Sequence, residues 1–579
     1  MRRMESASDR DPGSMPEIPG EVAPASDSGR LAGYALGASR WLLPAGVLAL
    51  TFVAFLPVLD NGFIPNWDDR TNFLDNPHYR GLGPAQLHWM FTTFHAGHYI
   101  PLTWLSLGLD YLLWGMAPAG YHLTSLLLHA ATALAFYFLA LRLFRLALSP
   151  ATTSAALRWG AAIAALLFAI HPLRVESVAW ATERRDVLSG LFYVLALLCY
   201  VKAAVAAPEA APTRLRPHVS WSARLRLRLP AHVSWSARLR LRLPPLWYGL
   251  SLACFAAALL SKSIVVTLPV ALLVLDIYPL RRLGGAAGWR APRPWLEKLP
   301  FFALSAAATM VAFQALLTLG NTRSLADLGI AARIFLSVYG LAFYVFRTVV
   351  PLDLSPLYPL TVTITWWHFA FVIAATLVAV FMRRRWPAFT AVWLVYAITL
   401  SPVLGFFHNG PQAVADRYSY LACLGLALLI AAAAAQPRPG ARAVRALLCA
   451  AVIALCFLTW QQASLWRSPV TLWSHAASLG SGGRAAHANL AEALEADGRP
   501  REAIPHYLEA LRRSAKKASW HVHLGRLYAR LGDDASALRH FQDALAEVPG
   551  MPEACDGARE LAARSAPAAG LLGTCAGPR

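Results

Sequence analysis

Four polar clusters interrupt an otherwise apolar chain, and their residue types could do chemistry. The first contains the adjacent carboxylates Asp68 and Asp69, in the stretch PNWDDRTNFLDNPHYRGL. The others lie in HPLRVESVAWATERRDVLSG (171–190), LLSKSIVVTLP (259–269) and HNGPQAVADRYSYL (408–421). Together they supply carboxylates that could act as a general base or bind a metal ion, and cations that could bind an anion. Charged residues close to apolar segments are functional hypotheses by default.

This combination suits the transfer of a sugar from a lipid-linked phosphate. Such a reaction needs a carboxylate to take the proton of the acceptor hydroxyl, and cations to stabilise the departing phosphate. We expect Asp68 to be the general base, with Asp69 orienting it, the acceptor or a metal. The expected phosphate-binding residues are Arg184, Arg185, Lys262 and Arg417.

Each of these residues also has an ordinary structural interpretation. Adjacent aspartates in a loop are often solvated or cap a helix. His171 could be an interfacial histidine before a proline, and residues 183–186 could cap the span that starts at 187. Lys262 could snorkel, and Arg417 could form a surface pair with Asp416, worth under about 1 kcal/mol. The functional interpretation therefore rests on the convergence of the four clusters.

The composition indicates a polytopic membrane protein. Of 579 residues, 57% are hydrophobic and only 15% are charged, a balance that soluble domains do not reach. Several apolar runs approach the roughly 20 residues that a bilayer requires, among them 41–59, 121–144, 187–204, 300–319 and 443–460. We expect an all-α fold with a multispan domain over 41–462. The net charge of +20 indicates topology and not nucleic-acid binding, because the basic residues concentrate between apolar runs.

The arginines predict the orientation of the spans. They place a disordered N-terminus (1–40), the Arg-rich loop 205–245 and Arg383 to Arg385 in the cytoplasm. The acidic loop 60–98, the other polar clusters and the C-terminal domain then lie outside. This assignment makes the runs 99–116 and 333–350 interfacial or re-entrant and leaves about eleven crossings.

A second domain follows the membrane region. Leu490, Ala503 and Tyr507 recur 34 residues later as Leu524, Ala537 and Phe541, which is the tetratricopeptide spacing. We expect a short array of these helical hairpins over 465–562 and a disordered tail over 563–579. Five of the seven cysteines lie in apolar runs, so that Cys555 and Cys575 are the two that could pair.

Six stretches carry a resemblance to a known family. They are WDD...FLDNP, FTTFHAGHYIPLTWLSLGLDYLLWG, HPLRVESVAWATERRDVLSGLFY, LLSKSIVVTLPVALLVLDIYPL, SPVLGF...QAVADRYSYL and QQASLWRSPVTLWSHAA. The chain resembles bacterial membrane proteins with tetratricopeptide repeats, which are similar to the eukaryotic transmembrane and tetratricopeptide-repeat O-mannosyltransferases. The resemblance runs from about residue 40 to 550. It implies a GT-C type glycosyltransferase fold in the bacterial inner membrane.

The resemblance also implies an activity. It is an inverting transfer of a mannose-like sugar from a polyprenyl-phosphate donor to an acceptor outside the cytoplasm, such as a protein hydroxyl. Asp68 and Asp69 would be the signature acidic pair, with His171 and Glu176 as the second polar motif. Asp68, Asp69 and Glu176 could also ligate Mg²⁺ or Mn²⁺ as hard oxygen donors.

Two other functions remain open from the sequence. One is a non-enzymatic scaffold that presents its repeats to an envelope partner, and the other is a flippase for a lipid-linked sugar. The acidic pair favours the enzyme, because a scaffold has no use for two carboxylates there and a flippase would favour cations alone.

Overall fold

The chain folds into a helical membrane region followed by a stack of helical hairpins. The computed structural model describes residues 27–206, 245–284, 288–318, 328–360, 362–405, 412–436, 440–480, 482–513, 517–563 and 570–575. Most of them are helical, and the described strands form a single two-residue to three-residue pair. The predicted all-α class, with a membrane region before tetratricopeptide repeats, is confirmed.

The membrane region runs from the first described helix to residue 465. Its helices are α1 (Asp27–Phe55), α2 (Pro84–Thr92), α3 (Pro101–Trp114), α4 (Pro118–Ala147), α5 (Ser154–Ala169), α6 (Val175–Ala179), α7 (Arg184–Ala206), α8 (Pro245–Ser261), α9 (Leu268–Ile277), α10 (Pro292–Leu296), α11 (Leu299–Leu317), α12 (Ile330–Val349), α13 (Trp366–Phe381), α14 (Pro387–Leu400), α15 (Ser419–Ala422), α16 (Leu424–Ala435) and α17 (Ala441–Leu465). Strands β1 (Tyr358–Pro359) and β2 (Gln412–Val414) pair antiparallel.

The length and composition of these helices are those of a multi-pass membrane protein. Among the described residues, six helices are long and apolar enough to cross a membrane, two bent helix pairs would make one span each, and four apolar helices are shorter. A bent pair combines α5 with residues 172–179, and another combines residues 416–422 with α16.

One of the six long helices, α12, runs along a face of the bundle. Near its start Arg333 donates to the Gly405 carbonyl at 3.4 Å, and near its end the Thr348 carbonyl accepts from His171 at 3.0 Å. Gly405 follows the end of α14, so α12 links the end of α14 to the turn between α5 and α6. By length and composition alone α12 is one of the six candidate spans, and the described residues offer up to eight if each bent pair is one span.

Helix α7 defines two faces of the membrane region. Its first turn contacts the polar clusters, and we call this side the site face. Near its other end the Tyr200 hydroxyl donates to Asp276 at 2.8 Å, and Asp276 pairs with Arg282 at 3.0 Å. Helix α13 starts next to α12, where His368 contacts Tyr339, and runs away from the site face. The triplet Arg383 to Arg385 follows the end of α13 and therefore lies on the opposite side.

Two terminal predictions need correction. Helix α1 begins at Asp27, so that the predicted disorder over 1–40 is wrong for 27–40; residues 1–26 lie outside the described part. In the predicted disordered tail, Leu572–Cys575 is helical and Cys575 forms a disulfide with Cys555. Most of the Arg-rich loop 205–245 lies outside the described residues.

The C-terminal helices stack as paired hairpins. They are α18 (Pro469–Ser478), α19 (Gly483–Ala496), α20 (Pro500–Arg512), α21 (Ala518–Arg530), α22 (Asp534–Glu547), α23 (Pro552–Ala562) and α24 (Leu572–Cys575). The aromatic and small residues of the 34-residue period fill the seams, with Tyr507 and Phe541 fully buried. A Cβ on Gly525 would lie 2.6 Å from the Phe541 ring, so this position excludes larger residues.

The disulfide is expected to stabilise the end of the repeat stack. It closes a loop with a sequence separation of 20 residues, for which chain entropy predicts about 3 kcal/mol. Cys575→Ser should lower the thermal unfolding temperature of the repeat region under non-reducing conditions, whereas Cys449→Ser, at an exposed free cysteine, should leave it unchanged. Equal unfolding temperatures for the Cys575→Ser variant and the parent chain would contradict the expectation.

Candidate functional site

The centre of the site face is a buried carboxylate that contacts three cations. Glu183 lies just before α7, is fully buried, and pairs with Arg185 at 2.7 Å, with Lys262 at 2.8 Å and with Arg417 at 3.2 Å. These cations come from the start of α7, the end of α8 and the 416–418 turn. One carboxylate therefore joins three segments that are far apart in the sequence.

Two further carboxylates complete this group. Asp186 pairs with Lys262 at 2.5 Å and accepts from Ser177 at 3.1 Å. Glu176 accepts the Arg417 backbone N–H at 2.8 Å and forms a short ion pair with the Arg417 guanidinium. We call the six residues Glu176, Glu183, Arg185, Asp186, Lys262 and Arg417 the charge cluster.

Asp68 is exposed beside the charge cluster. Within the described part of the chain its carboxylate has neither a hydrogen bond nor an ion pair, although its backbone carbonyl accepts from Asn72. Although part of the side chain faces solvent, the protein around it limits its hydration and raises the pKa of Asp68, while Arg185 and Arg417 act in the opposite direction. A free carboxylate with a raised pKa next to cations has the properties of a general base.

Both carboxylate oxygens of Asp69 accept hydrogen bonds, so Asp69 is not free to act as a general base. One oxygen accepts the Ile64 N–H at 2.8 Å, and the other accepts the Thr182 hydroxyl at 2.6 Å and the Thr182 N–H at 3.3 Å. Burial raises the pKa of Asp69 to about 6 despite these bonds. The contacts fix the acidic loop to the segment just before Glu183, so Asp69 positions its neighbour Asp68.

A small recess next to Arg185 holds a histidine that sequence reasoning missed. The recess is lined by Asn72, His95, His98, Thr182 and Arg185, with apolar walls that include Trp104. His98 is exposed at its mouth, yet the surrounding protein, followed by Arg185, lowers the pKa of His98 to about 3. The imidazole is therefore neutral and able to donate or accept one hydrogen bond.

The backbone before His98 is strained. Ala96 has φ of 50° and Gly97 has φ of 72°, and a left-handed alanine is uncommon and marks turns that the surrounding structure enforces. The stretch FTTFHAGHYIPL contained a signal for this residue, because two histidines flank the Ala-Gly pair.

Besides the two aspartates of the acidic loop, two predicted site residues lie outside the charge cluster. Arg184 is fully buried and pairs with Asp110 at 2.7 Å, and it also donates to Ser106, Ser125 and the Tyr121 carbonyl. All of these partners lie on α3 and α4, so the predicted phosphate-binding role is not supported for Arg184.

His171 has a structural position as well. Its Nδ1 accepts the Leu173 N–H at 3.2 Å and its Nε2 donates to the Thr348 carbonyl at 3.0 Å. It ties the α5–α6 turn to α12 with both ring nitrogens occupied, so His171 has no free group for the site.

The purely structural interpretations of Arg417, Lys262 and residues 183–186 do not agree with the structure. Arg417 is not a surface pair with Asp416, because its side chain is only 8% exposed and bonded to two buried carboxylates. Lys262 does not snorkel into solvent but holds Glu183 and Asp186. Glu183 and Asp186, considered only as helix caps, are the anchors of the charge cluster.

The carboxylates expected to bind a divalent cation are not available together. Asp69 accepts three hydrogen bonds and Glu176 is paired with Arg417. Of the three, only Asp68 keeps free oxygens among the described residues. A Mg²⁺ or Mn²⁺ ion bound by this set would require both existing networks to open.

Comparisons with known proteins point to one kind of enzyme. The tetratricopeptide repeat family model matches residues 483–546. The chain is 38% identical over 165 residues to protein O-mannosyl-transferase Tmtc1 of Drosophila melanogaster, covering 27% of this chain and 18% of that protein. It is 42% identical over 117 residues to protein O-mannosyl-transferase tmtc2 of Xenopus laevis, covering 20% and 13%.

The alignments cover only part of each relative. A match to protein O-mannosyl-transferase F38B6.6 of Caenorhabditis elegans, 27% identical over 202 residues, covers 32% of this chain and 26% of that protein. The matched region thus spans about a quarter or less of the relatives named here. No solved structure matches the chain.

The adjacent arginines Arg184 and Arg185 should respond differently to substitution. Arg184→Ala leaves Asp110 buried without its cation, and breaking such a pair costs about 3–5 kcal/mol. In Arg185→Ala, Glu183 still has Lys262 and Arg417. We expect Arg184→Ala to lower the unfolding temperature in detergent far more than Arg185→Ala. A larger loss for Arg185→Ala would contradict the assignment of Arg184 to the fold.

Proposed function

We propose that the chain is a glycosyltransferase of the bacterial inner membrane. It would move a mannose-like sugar from a polyprenyl-phosphate donor to an acceptor, such as a protein hydroxyl, outside the cytoplasm. The observation that carries the proposal is Asp68, a carboxylate without a partner among the described residues, close to the cations Arg185 and Arg417 on one face of a multispan protein. The names of the relatives, all protein O-mannosyl-transferases, support the same activity.

The proposed reaction is a single displacement with inversion. The acceptor oxygen forms a bond to the anomeric carbon while the bond from that carbon to the donor phosphate oxygen breaks. Asp68 takes the hydroxyl proton, and the phosphate leaves with the bonding electrons. Phosphate is a good leaving group, so no strong general acid is needed. We route the reaction through Asp68 alone, because Asp69 and Glu176 are engaged.

The charge cluster could bind a phosphate without breaking its own ion pairs. Arg185 uses Nε and Nη2 on Glu183, and Arg417 uses Nε and Nη1 on Glu183 and Glu176. The remaining Nη1 of Arg185 and Nη2 of Arg417 have no bond among the described residues. Guanidinium N–H groups bind phosphate strongly. Because Glu183 fixes both groups beforehand, they need little reorganisation when negative charge develops on the leaving phosphate.

The repeats are in direct contact with the loop that carries Asp68. Trp473 of α18 lies 5.0 Å from Trp67 between ring centroids and donates to Asn66 at 3.2 Å, while Asn66 donates to the Asn489 carbonyl at 2.7 Å. An acceptor protein bound by the repeats would therefore lie near the site face. It favours the enzyme over a scaffold whose repeats act apart from the charge cluster.

Two observations support an orientation with the site face outside. Arg383 to Arg385 lie on the opposite side, and positive residues remain in the cytoplasm. The repeat stack also carries the Cys555–Cys575 disulfide, and disulfides form and persist in oxidising compartments.

Asp68→Asn tests the proposed base. A general base contributes about 100-fold to 10,000-fold in rate, so the nearly isosteric amide should reduce sugar transfer by at least about 100-fold. Asp75→Asn, at an exposed acid of the same loop, is the matched control and should keep full activity. The assay uses purified protein, radiolabelled polyprenyl-phosphate mannose and envelope extract, and follows label that leaves the lipid phase.

The outcomes separate the alternatives. Full turnover by Asp68→Asn at saturating donor would reject Asp68 as the base. Label that stays in the lipid phase with the parent protein, across several donor sugars, would favour the scaffold. Donor movement across vesicles without transfer would favour a flippase.

Cysteine labelling tests the orientation. Ala546 is exposed on α22 of the repeats and Arg384 is exposed on the opposite side. With the native cysteines as background, Ala546→Cys should react with a membrane-impermeant maleimide once the periplasm is open, and Arg384→Cys only after the inner membrane is permeabilised. The reverse order would invert the topology and place the site in the cytoplasm.

A further inference from the structure

We propose that the last tetratricopeptide repeat holds a divalent transition-metal ion, of which Zn²⁺ is the expected species. The ligands would be His521, His540 and Asp543. Their ligand atoms all lie within 4.8 Å of one another, and within the described part of the chain no other group of three or more His, Cys, Asp or Glu side chains is so arranged. The inference is independent of the proposed transferase activity.

The distances between the ligand atoms fit a tetrahedral ion. The Nδ1 atoms of His521 and His540 are 3.0 Å apart, and the Asp543 Oδ2 lies 3.6 Å from the first and 3.9 Å from the second. Bonds of 2.0–2.1 Å to zinc in a tetrahedron place neighbouring ligand atoms about 3.3 Å apart. The observed separations bracket this value, so only small side-chain movements are needed to bind the ion.

The two helices of the hairpin bring the ligands together. His521 lies on α21, while His540 and Asp543 lie one turn apart on α22. Stacking on Tyr528, with ring centroids 5.5 Å apart, holds the His540 ring. Both histidine side chains are mostly buried, whereas Asp543 is about half exposed. The site is thus open to solvent on one side, which leaves a fourth position for water or for a group from a bound protein.

The preceding repeat provides a natural comparison. His487 and His506 occupy the equivalent positions 34 residues earlier, with their Nδ1 atoms 3.2 Å apart. The equivalent of Asp543 is Glu509, which pairs with Arg513 at 2.7 Å and with Arg512. The pair His487 and His506 therefore lacks a free acidic ligand. A hydrogen bond between two neutral imidazoles explains their short Nδ1–Nδ1 distance.

The chemistry of the ligand set indicates the kind of metal. Imidazole suits zinc, copper and nickel, while magnesium and calcium prefer sites built from oxygen alone. Coordination needs both Nδ1 atoms free of hydrogen, with the protons on Nε2. An ion at this point would join α21 to α22 and stabilise the repeat against unfolding by mass action.

The test uses the full-length protein in detergent, purified through a tag without histidine and stripped with a chelator. Zn²⁺ is titrated by calorimetry, and Co²⁺ is added separately because its visible absorption reports four-coordinate geometry. We expect one Zn²⁺ per chain, a four-coordinate Co²⁺ spectrum and a higher unfolding temperature of the repeats with Zn²⁺. His540→Ala should weaken binding by at least about 100-fold, since it removes a direct ligand.

Two variants guard against misreading a folding defect. Asp543→Asn changes a half-exposed side chain, so it should keep the fold and weaken Zn²⁺ binding by about 10-fold or more. His506→Ala, the matched control in the preceding repeat, should leave stoichiometry and affinity unchanged. Absence of a bound ion in the parent chain, or equal affinity in the parent and Asp543→Asn, would overturn the proposal. So would loss of binding in His506→Ala with retention in His540→Ala.

Discussion

The buried carboxylate of Glu183 is the constraint on which the site face depends. A charge taken out of water is costly unless it is paired and hydrogen-bonded, and Glu183 meets this demand with Arg185, Lys262 and Arg417. The three cations depend on Glu183 as well, because they would repel one another without a carboxylate between them. Each ion pair therefore fixes the position of the others, and the three segments that carry the cations are held together at the site face.

The acidic loop is held from two directions. Asp69 accepts bonds from Thr182, which precedes Glu183, so the loop is tied to the charge cluster through its second aspartate. On the other side Trp67 lies between Trp180 and Trp473, with ring centroids 5.9 Å and 5.0 Å away. Trp180 also lies under the Arg417 guanidinium at 5.4 Å. A continuous series of contacts thus runs from the repeats to the charge cluster, and Asp68 is left free between two fixed neighbours.

The periodicity of the sequence predicted the repeats and its composition predicted the membrane region. The sequence did not predict which charged residues form ion pairs with each other. The 34-residue period identified the buried seam of Tyr507 and Phe541. The interfacial or re-entrant position that the arginine distribution indicated for 333–350 stays a prediction, because α12 is long and apolar enough to cross a membrane. Adjacent arginines look alike in a sequence, but Arg184 and Arg185 point to different partners on a helix, one towards Asp110 and one towards Glu183. Only the packing of α7 against α3 and α4 separates a fold arginine from a site arginine. The importance of Glu183 was hidden for the same reason, because its cations are up to 234 positions away in the chain.

A second buried ion network at the far end of α7 explains how the site face can stay rigid. Asp276 is fully buried and accepts from Tyr200, Arg282 and Lys298, while Arg282 also pairs with Glu297 at 2.5 Å. Helix α7 is therefore held at its start by the ion pairs of Glu183 and Arg185, and near its other end by the hydrogen bonds of Tyr200 to the second network. Movement of α7 along its axis would break the hydrogen bonds of Tyr200 and the ion pairs of the charge cluster at once. The cost of that movement keeps Arg185 and Glu183 in place beside Asp68, and fixed dipoles and charges are what electrostatic stabilisation of a departing phosphate requires.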